Sequence, residues 1–223
     1  MHNLSDKEQA QLLKDLWNKY GVTILLAIVV FMATNFSWRY FAQYKTNQQE
    51  KASILFTQML NAQVQNKKPE AALFAENLMK NFASSSYSSF AAMMLAKDAI
   101  NTSDLASAQT NLTWVVKHSG KKELSELAAV RLARVLIAEN KSQDAINLLE
   151  KNTNALYLSA KHETMGDALM AQNKAKEAAT FYQKAIANST NNKNANETQD
   201  TQPTHQLLKM KAEQLGTLDT PKT

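Results

Sequence analysis

The chain has 223 residues, 44% of them hydrophobic, with 4 Gly, 3 Pro and no Cys. A formal charge of +5 comes almost wholly from lysines scattered singly among glutamates, so the gathered, bidentate cations and stacking aromatics of a nucleic-acid surface are excluded. Lack of cysteine excludes disulfides and thiolate metal sites without choosing a compartment, and the shortage of Gly and Pro favours helix.

Residues 1–19 contain Leu4, Leu12, Leu13, Leu16 and Trp17. They read either as a short amphipathic helix on a membrane surface or as an N-terminal extension of the apolar run that begins at Tyr20. Tyr20 to Trp38 is YGVTILLAIVVFMATNFSW, nineteen residues without a charge. As a helix it is about 28 Å long, close to the roughly 30 Å of a bilayer's hydrocarbon. Trp17 and Tyr20 stand at its start, and Trp38, Tyr40 and Tyr44 at its end, placing amphipathic rings at headgroup depth. A cleaved signal peptide fits less well, because Asp6, Glu8 and Asp15 offset the early lysines and no A-x-A-like triplet comes after Phe31. A buried core helix is the other alternative, since Thr23, Thr34 and Asn35 dilute the apolar run. Residues 20–41 are thus expected to span a membrane. Lys7, Lys14 and Lys19 on one side balance Arg39, Lys45 and Lys51 on the other, so charge does not orient the span.

No Gly or Pro interrupts the chain from Trp38 to Gln65, so the spanning helix is expected to continue into a domain over 42–188. Ile54, Leu55, Met59 and Leu60 supply a packed face. Helices are then predicted near 69–82, 86–101, 104–118, 122–140, 142–152, 155–172 and 175–188. Pro69 suits a first helical turn, Ser84 to Ser86 and Ser103 or Asp104 suit N-caps, and Gly120 suits a helix stop. No segment shows strand alternation. Residues 189–202 are Asn-rich and polar, and are expected to be disordered. Pro203 opens a helix over 203–216, apolar at Leu207, Leu208, Met210 and Leu215, suited to covering the exposed end of the preceding array. Residues 217–223 form a tail.

A repeat runs through the helices. Ala75, Ala108, Ala145 and Ala178 are separated by 33, 37 and 33 residues. Each is followed four residues later by a bulky side chain: Met79, Leu112, Leu149 and Tyr182. Ala96, Ala133 and Gly166 stand twelve residues before the last three alanines. Small residues allow two helices to cross closely, and the large neighbour fills the groove against the next pair. Helix pairs with this period resemble a tetratricopeptide array. Met165-Gly166-x2-Leu169 with Ala178-x3-Tyr182 is the best copy, although the pattern's tryptophan and closing proline are missing. The expected fold is all-α: a membrane helix leading into a solenoid of helical hairpins with a C-terminal capping helix.

Catalytic chemistry is not legible. His2, His118, His162 and His205 lack companions at metal-ligand spacing, and no phosphate loop, nucleophile elbow or zincin motif occurs. Glu123 and Glu126 read as a solvated first turn of a helix. No enzyme activity, cofactor, metal or small-molecule substrate is expected.

The span, the exit segment Ser37-Trp38-Arg39-Tyr40-Phe41, the repeat region and the closing Leu207-Leu208-Lys209-Met210-Lys211 together resemble the ancillary subunit family of the bacterial Sec translocon. That family's tetratricopeptide-like domain shares its description with a cell-division coordinator. The resemblance covers nearly the whole chain and rests on the order of its parts. It implies a cytoplasmic N-terminus, a periplasmic domain, and two partners: the translocon and a membrane-anchored periplasmic chaperone of the peptidyl-prolyl isomerase class. A cytoplasmic adaptor tethered by the same span in the opposite sense remains the alternative. Tetratricopeptide-like arrays line their concave side with the leading helix of each pair. Carried onto this chain, the groove residues are Met93, Lys97 and Ile100, then Val130, Arg134 and Ile137, then Glu163, Asp167 and Met170, unless the aliphatic members are core.

Overall fold

The computed structural model describes residues 6–151, 155–191 and 201–215. Every regular element among them is helical. The chain divides into two compact units, Met1–Lys51 and Ala52–Thr223.

The first unit is carried by helix α1, Asp6–Val64. Residues from Asp6 are already helical, so the start of the chain extends the apolar run. This helix is the one among the described residues long and apolar enough to cross a membrane, and only 6% of its apolar window is buried, unlike a core helix. Two of its polar side chains are satisfied locally. The Thr34 hydroxyl donates to the Val30 carbonyl at 2.7 Å and Asn35 Nδ2 to the Phe31 carbonyl at 3.2 Å. Such back-bonding lowers the cost of placing these groups against lipid.

The second unit contains the end of α1 and the helices α2 (Lys68–Asn81), α3 (Ser86–Asn101), α4 (Leu105–His118), α5 (Lys122–Ala138), α6 (Ser142–Glu150), α7 (Leu158–Ala171), α8 (Ala175–Asn191) and α9 (Thr201–Gln214), with a 3-10 turn at Ala155–Tyr157 before α7. Local chemistry sets the boundaries. Pro69 lies in the first turn of α2. Ser85 caps α3, its hydroxyl accepting from the Tyr87 N–H at 3.3 Å, and Asp104 caps α4 by accepting from the Ser107 N–H at 3.0 Å. The expected disorder over 189–202 overlaps the ends of α8 and α9, and residues 192–200 lie outside the described ones, as do Leu4 and the 217–223 tail.

Four turns repeat one geometry. Asn66, Ser103, Asn140 and Asn173 adopt left-handed φ angles of 59°, 61°, 61° and 60°. After each, the next residue's N–H reaches back five residues: Lys67 to Ala62, Asp104 to Ala99, Lys141 to Leu136, Lys174 to Leu169, at 2.8 to 2.9 Å. These are Schellman closures, in which a left-handed residue satisfies the last helical carbonyls. They join α1 to α2, α3 to α4, α5 to α6 and α7 to α8, and so define the hairpins. Counted from them, the counterpart of Ala108, Ala145 and Ala178 in the first hairpin is Ala71 rather than Ala75. Both are buried. The place of Ala96, Ala133 and Gly166 is taken in α1 by Met59, which is also fully buried.

Gly120 does not act through a left-handed backbone. A Cβ there would stand 3.0 Å from the Ser84 carbonyl oxygen, so this glycine allows two interhelical turns to touch. One core cluster joins Ala52, Met59 and Ala62 to α2 and Ala91 of α3. The other runs from α3 to α9 and includes Leu112, Val115, Ala133, Leu149 and Tyr182. Leu208 and Ala212 of α9 are fully buried in it, so α9 caps the last hairpin.

Candidate functional site

The leading helices α3 and α5 leave an apolar groove of about 930 Å³ between them. Its buried floor is Ala96, Leu112 and Val135, from α3, α4 and α5. Met93, Met94 and Ile100 continue the apolar lining along α3. At one end Phe56 and Phe90 stand with ring centroids 6.4 Å apart. Methionines are unbranched and polarizable, so this lining can adapt its shape to an occupant. Lys97, Arg131 and Arg134 are the charged residues of the lining, and no Asp or Glu joins them.

The nine expected groove residues fall into three groups. Met93, Lys97, Ile100 and Arg134 line this groove. Val130 is 2% exposed and belongs to the core, against which Ile137 packs. Glu163, Asp167 and Met170 lie on α7 and do not line it.

Instead, two of those α7 residues hold the chain's own C-terminal helix. Lys211 Nζ donates to Asp167 Oδ1 at 2.8 Å and to Glu163 Oε1 at 3.0 Å. Arg134 Nη2 lies 3.6 Å from the other oxygen of Glu163, and Arg134 Nε donates to the Thr164 hydroxyl at 3.3 Å. The Tyr182 hydroxyl donates to Asp167 Oδ1 at 2.7 Å. Burial, and then this bond to a carboxylate, push the phenol well above its ordinary value, so it stays protonated as a donor. For Lys211, burial alone would lower the ammonium, but the hydrogen bonds to Asp167 and Glu163 outweigh it and hold the group above its usual range.

Glu126 departs from the expected solvated turn. Glu123 is exposed, whereas Glu126 is 6% exposed, with Lys122 Nζ at 3.7 Å and its charge felt by Lys161. Sequence reasoning also passed over Phe90, Met94 and Arg131. Phe90 lies one helical turn before Met93, Met94 three residues before Lys97 and Arg131 three residues before Arg134, so following each face by a turn would have found them.

These features agree with the comparisons. Residues 14–217 match the profile of the tetratricopeptide repeat-like domain. The chain is 24% identical over 171 residues to a Haemophilus influenzae protein named ancillary SecYEG translocon subunit, covering 77% of this chain and 83% of that one. Proteins of the same name from Aggregatibacter actinomycetemcomitans and Neisseria gonorrhoeae are 26% and 23% identical, over 84% and 82% of this chain and 91% and 88% of theirs. With four Schellman-closed hairpins and a matching profile that spans nearly its whole length, the chain belongs to the tetratricopeptide repeat-like domain family.

Proposed function

We propose that this chain is an ancillary subunit of the Sec translocon: a non-catalytic module held at the inner membrane by α1, whose helical array docks other proteins. The observation that carries this reading is the extent of the likeness. Three relatives with that name match 77% to 84% of the chain, and the domain profile from residue 14 to residue 217 takes in the span as well as the array. The groove between α3 and α5 supplies a docking surface, with methionine and aromatic side chains for affinity and cations for orientation.

In this reading the N-terminus is cytoplasmic and the array is periplasmic. Its second partner there is a membrane-anchored chaperone of the peptidyl-prolyl isomerase class, to which emerging chains are passed. Mild cross-linking in intact bacteria, followed by purification of the tagged full chain, is expected to recover the translocon together with periplasmic chaperones. Recovery of cytosolic proteins alone would overturn the reading in favour of a cytoplasmic adaptor. Alkaline phosphatase fused after Thr223 is expected to be active, and an inactive fusion would reverse the topology.

A further inference from the structure

The charges of the array are divided between its hairpins. On α7, Glu163 and Asp167 are already met by Lys211, which the chain supplies from α9. Arg134 is drawn to the same cluster through Glu163. Lys97 on α3 and Arg131 on α5 have no such counterpart: both are exposed, and among the described residues neither has a carboxylate partner. Arg131 makes one weak contact, Nη1 to Met93 Sδ at 3.4 Å. Its other guanidinium N–H groups remain available for a bidentate carboxylate contact.

These two cations come from the two helices that flank the groove, Lys97 from α3 and Arg131 from α5, with the Arg131 guanidinium reaching across to Met93 of α3. An amphipathic helix has the matching form, a stripe of apolar residues flanked on both sides by polar ones. An extended strand would turn alternate side chains away from the floor. We propose that the groove between α3 and α5 takes an amphipathic helix of a partner protein whose apolar stripe is flanked by Asp or Glu, with Lys97 and Arg131 receiving the two acidic flanks. This rests on the reading of the groove as a docking surface, and it adds the charge and conformation of what docks there. The pairing of Lys211 with Glu163 and Asp167 is the same chemistry with the signs exchanged, made within the chain.

The test uses the full chain in nanodiscs and two fluorescent peptides of about four helical turns. Both carry the same Leu and Met stripe, one flanked by Glu and the other by Lys. Fluorescence anisotropy is expected to show the Glu peptide binding at least about tenfold more tightly, with an advantage that shrinks as salt is raised. Lys97→Glu with Arg131→Glu should invert the preference while circular dichroism and melting stay unchanged. Should that pair disturb the fold, Lys97→Gln with Arg131→Gln should abolish the preference without adding repulsion. Equal binding of the two peptides, binding of neither, or tighter binding of dodecanoate as a rival occupant would overturn the proposal. Co-purification of the translocon is scored on the same preparations. Its presence without Glu-peptide preference removes the proposal and leaves the function standing; its absence alongside a clear preference does the reverse.

Discussion

The ring of Tyr182 fills the space where a side chain at residue 166 would begin: a Cβ on Gly166 would stand 2.5 Å from ring carbon Cε1 and 2.7 Å from Cδ1. The ring cannot easily swing aside, since it is 3% exposed and its hydroxyl is tied to Asp167. Gly166→Ala gains helix propensity of at most about 1 kcal/mol but overpacks the crossing of α7 and α8 by roughly 1 to 3 kcal/mol. The expected outcome is a melting temperature lowered by about 2 to 8 °C for the full chain in nanodiscs, followed by circular dichroism.

Asn140 gives a test of opposite sign. Its φ of 61° is a backbone shape in which a Cβ is strained, at roughly 1 to 2 kcal/mol for an ordinary residue, and asparagine relieves part of that locally. Asn140→Ala should therefore lower the denaturation midpoint by an amount corresponding to about 1 kcal/mol. Asn140→Gly should leave it unchanged or raise it. If alanine were tolerated as well as glycine, the Schellman closure would not be what ends α5.

Among the described residues, Lys211 is the one cation that reaches both Glu163 and Asp167. Lys211→Ala leaves the Glu163 side chain, 10% exposed, with Arg134 as its remaining partner at 3.6 Å. The expected loss is about 1 to 3 kcal/mol in the docking of α9, below the cost of breaking a fully buried pair. Amide hydrogen exchange should rise over residues 206–215 and stay protected in α3 to α6. Because the ammonium is raised in the folded chain, the contact should be fully present below about pH 10.4 and be lost only as pH climbs through the folded value.

His162 behaves in the opposite sense. Burial first, then the nearby Lys161 and Lys184, lower its ring below the ordinary value, and Asn188 Nδ2 stands 3.0 Å from its Nδ1. The unfolded chain takes up the proton first, so this histidine's contribution is fully present above about pH 6.5 and is lost as pH falls toward the folded value. Melting curves from pH 8 to about 5 should show stability declining on acidification, and His162→Gln should flatten that slope.

The helices were legible because their punctuation is local. Pro69, Ser85 and Asp104 mark starts by chemistry that reaches no further than three residues. The hairpin closures were not legible, since the left-handed residues are three asparagines and a serine in a chain rich in both, and nothing nearby distinguishes Asn140 from Asn147. For the same reason the alanine spacing points to Ala75 in the first hairpin, where the closure at Asn66 puts Ala71. Of the groove, Met93, Lys97, Ile100 and Arg134 could be read from their place beside the small crossing residues. The fate of Glu163 and Asp167 could not, because their partner Lys211 lies 48 and 44 residues away. No periodicity within α7 shows that a distant lysine will close over it.

The closures at Asn66, Ser103, Asn140 and Asn173 also bear on the order in which the array can be built. Each hairpin is completed by residues adjacent in sequence, and each packs on the pairs that neighbour it in the chain. Proteins made of such short-range contacts fold fast, and a ribosome delivers the chain at only about 5 to 20 residues per second. Every hairpin can therefore be finished before the next is synthesised, without waiting for a strand or helix from the far end. The exception is the final joint, where Glu163 and Asp167 have only Arg134 and the Tyr182 hydroxyl as partners until Lys211 has been made. The array can thus be built in the direction of synthesis, with the helix that carries Lys211 added last.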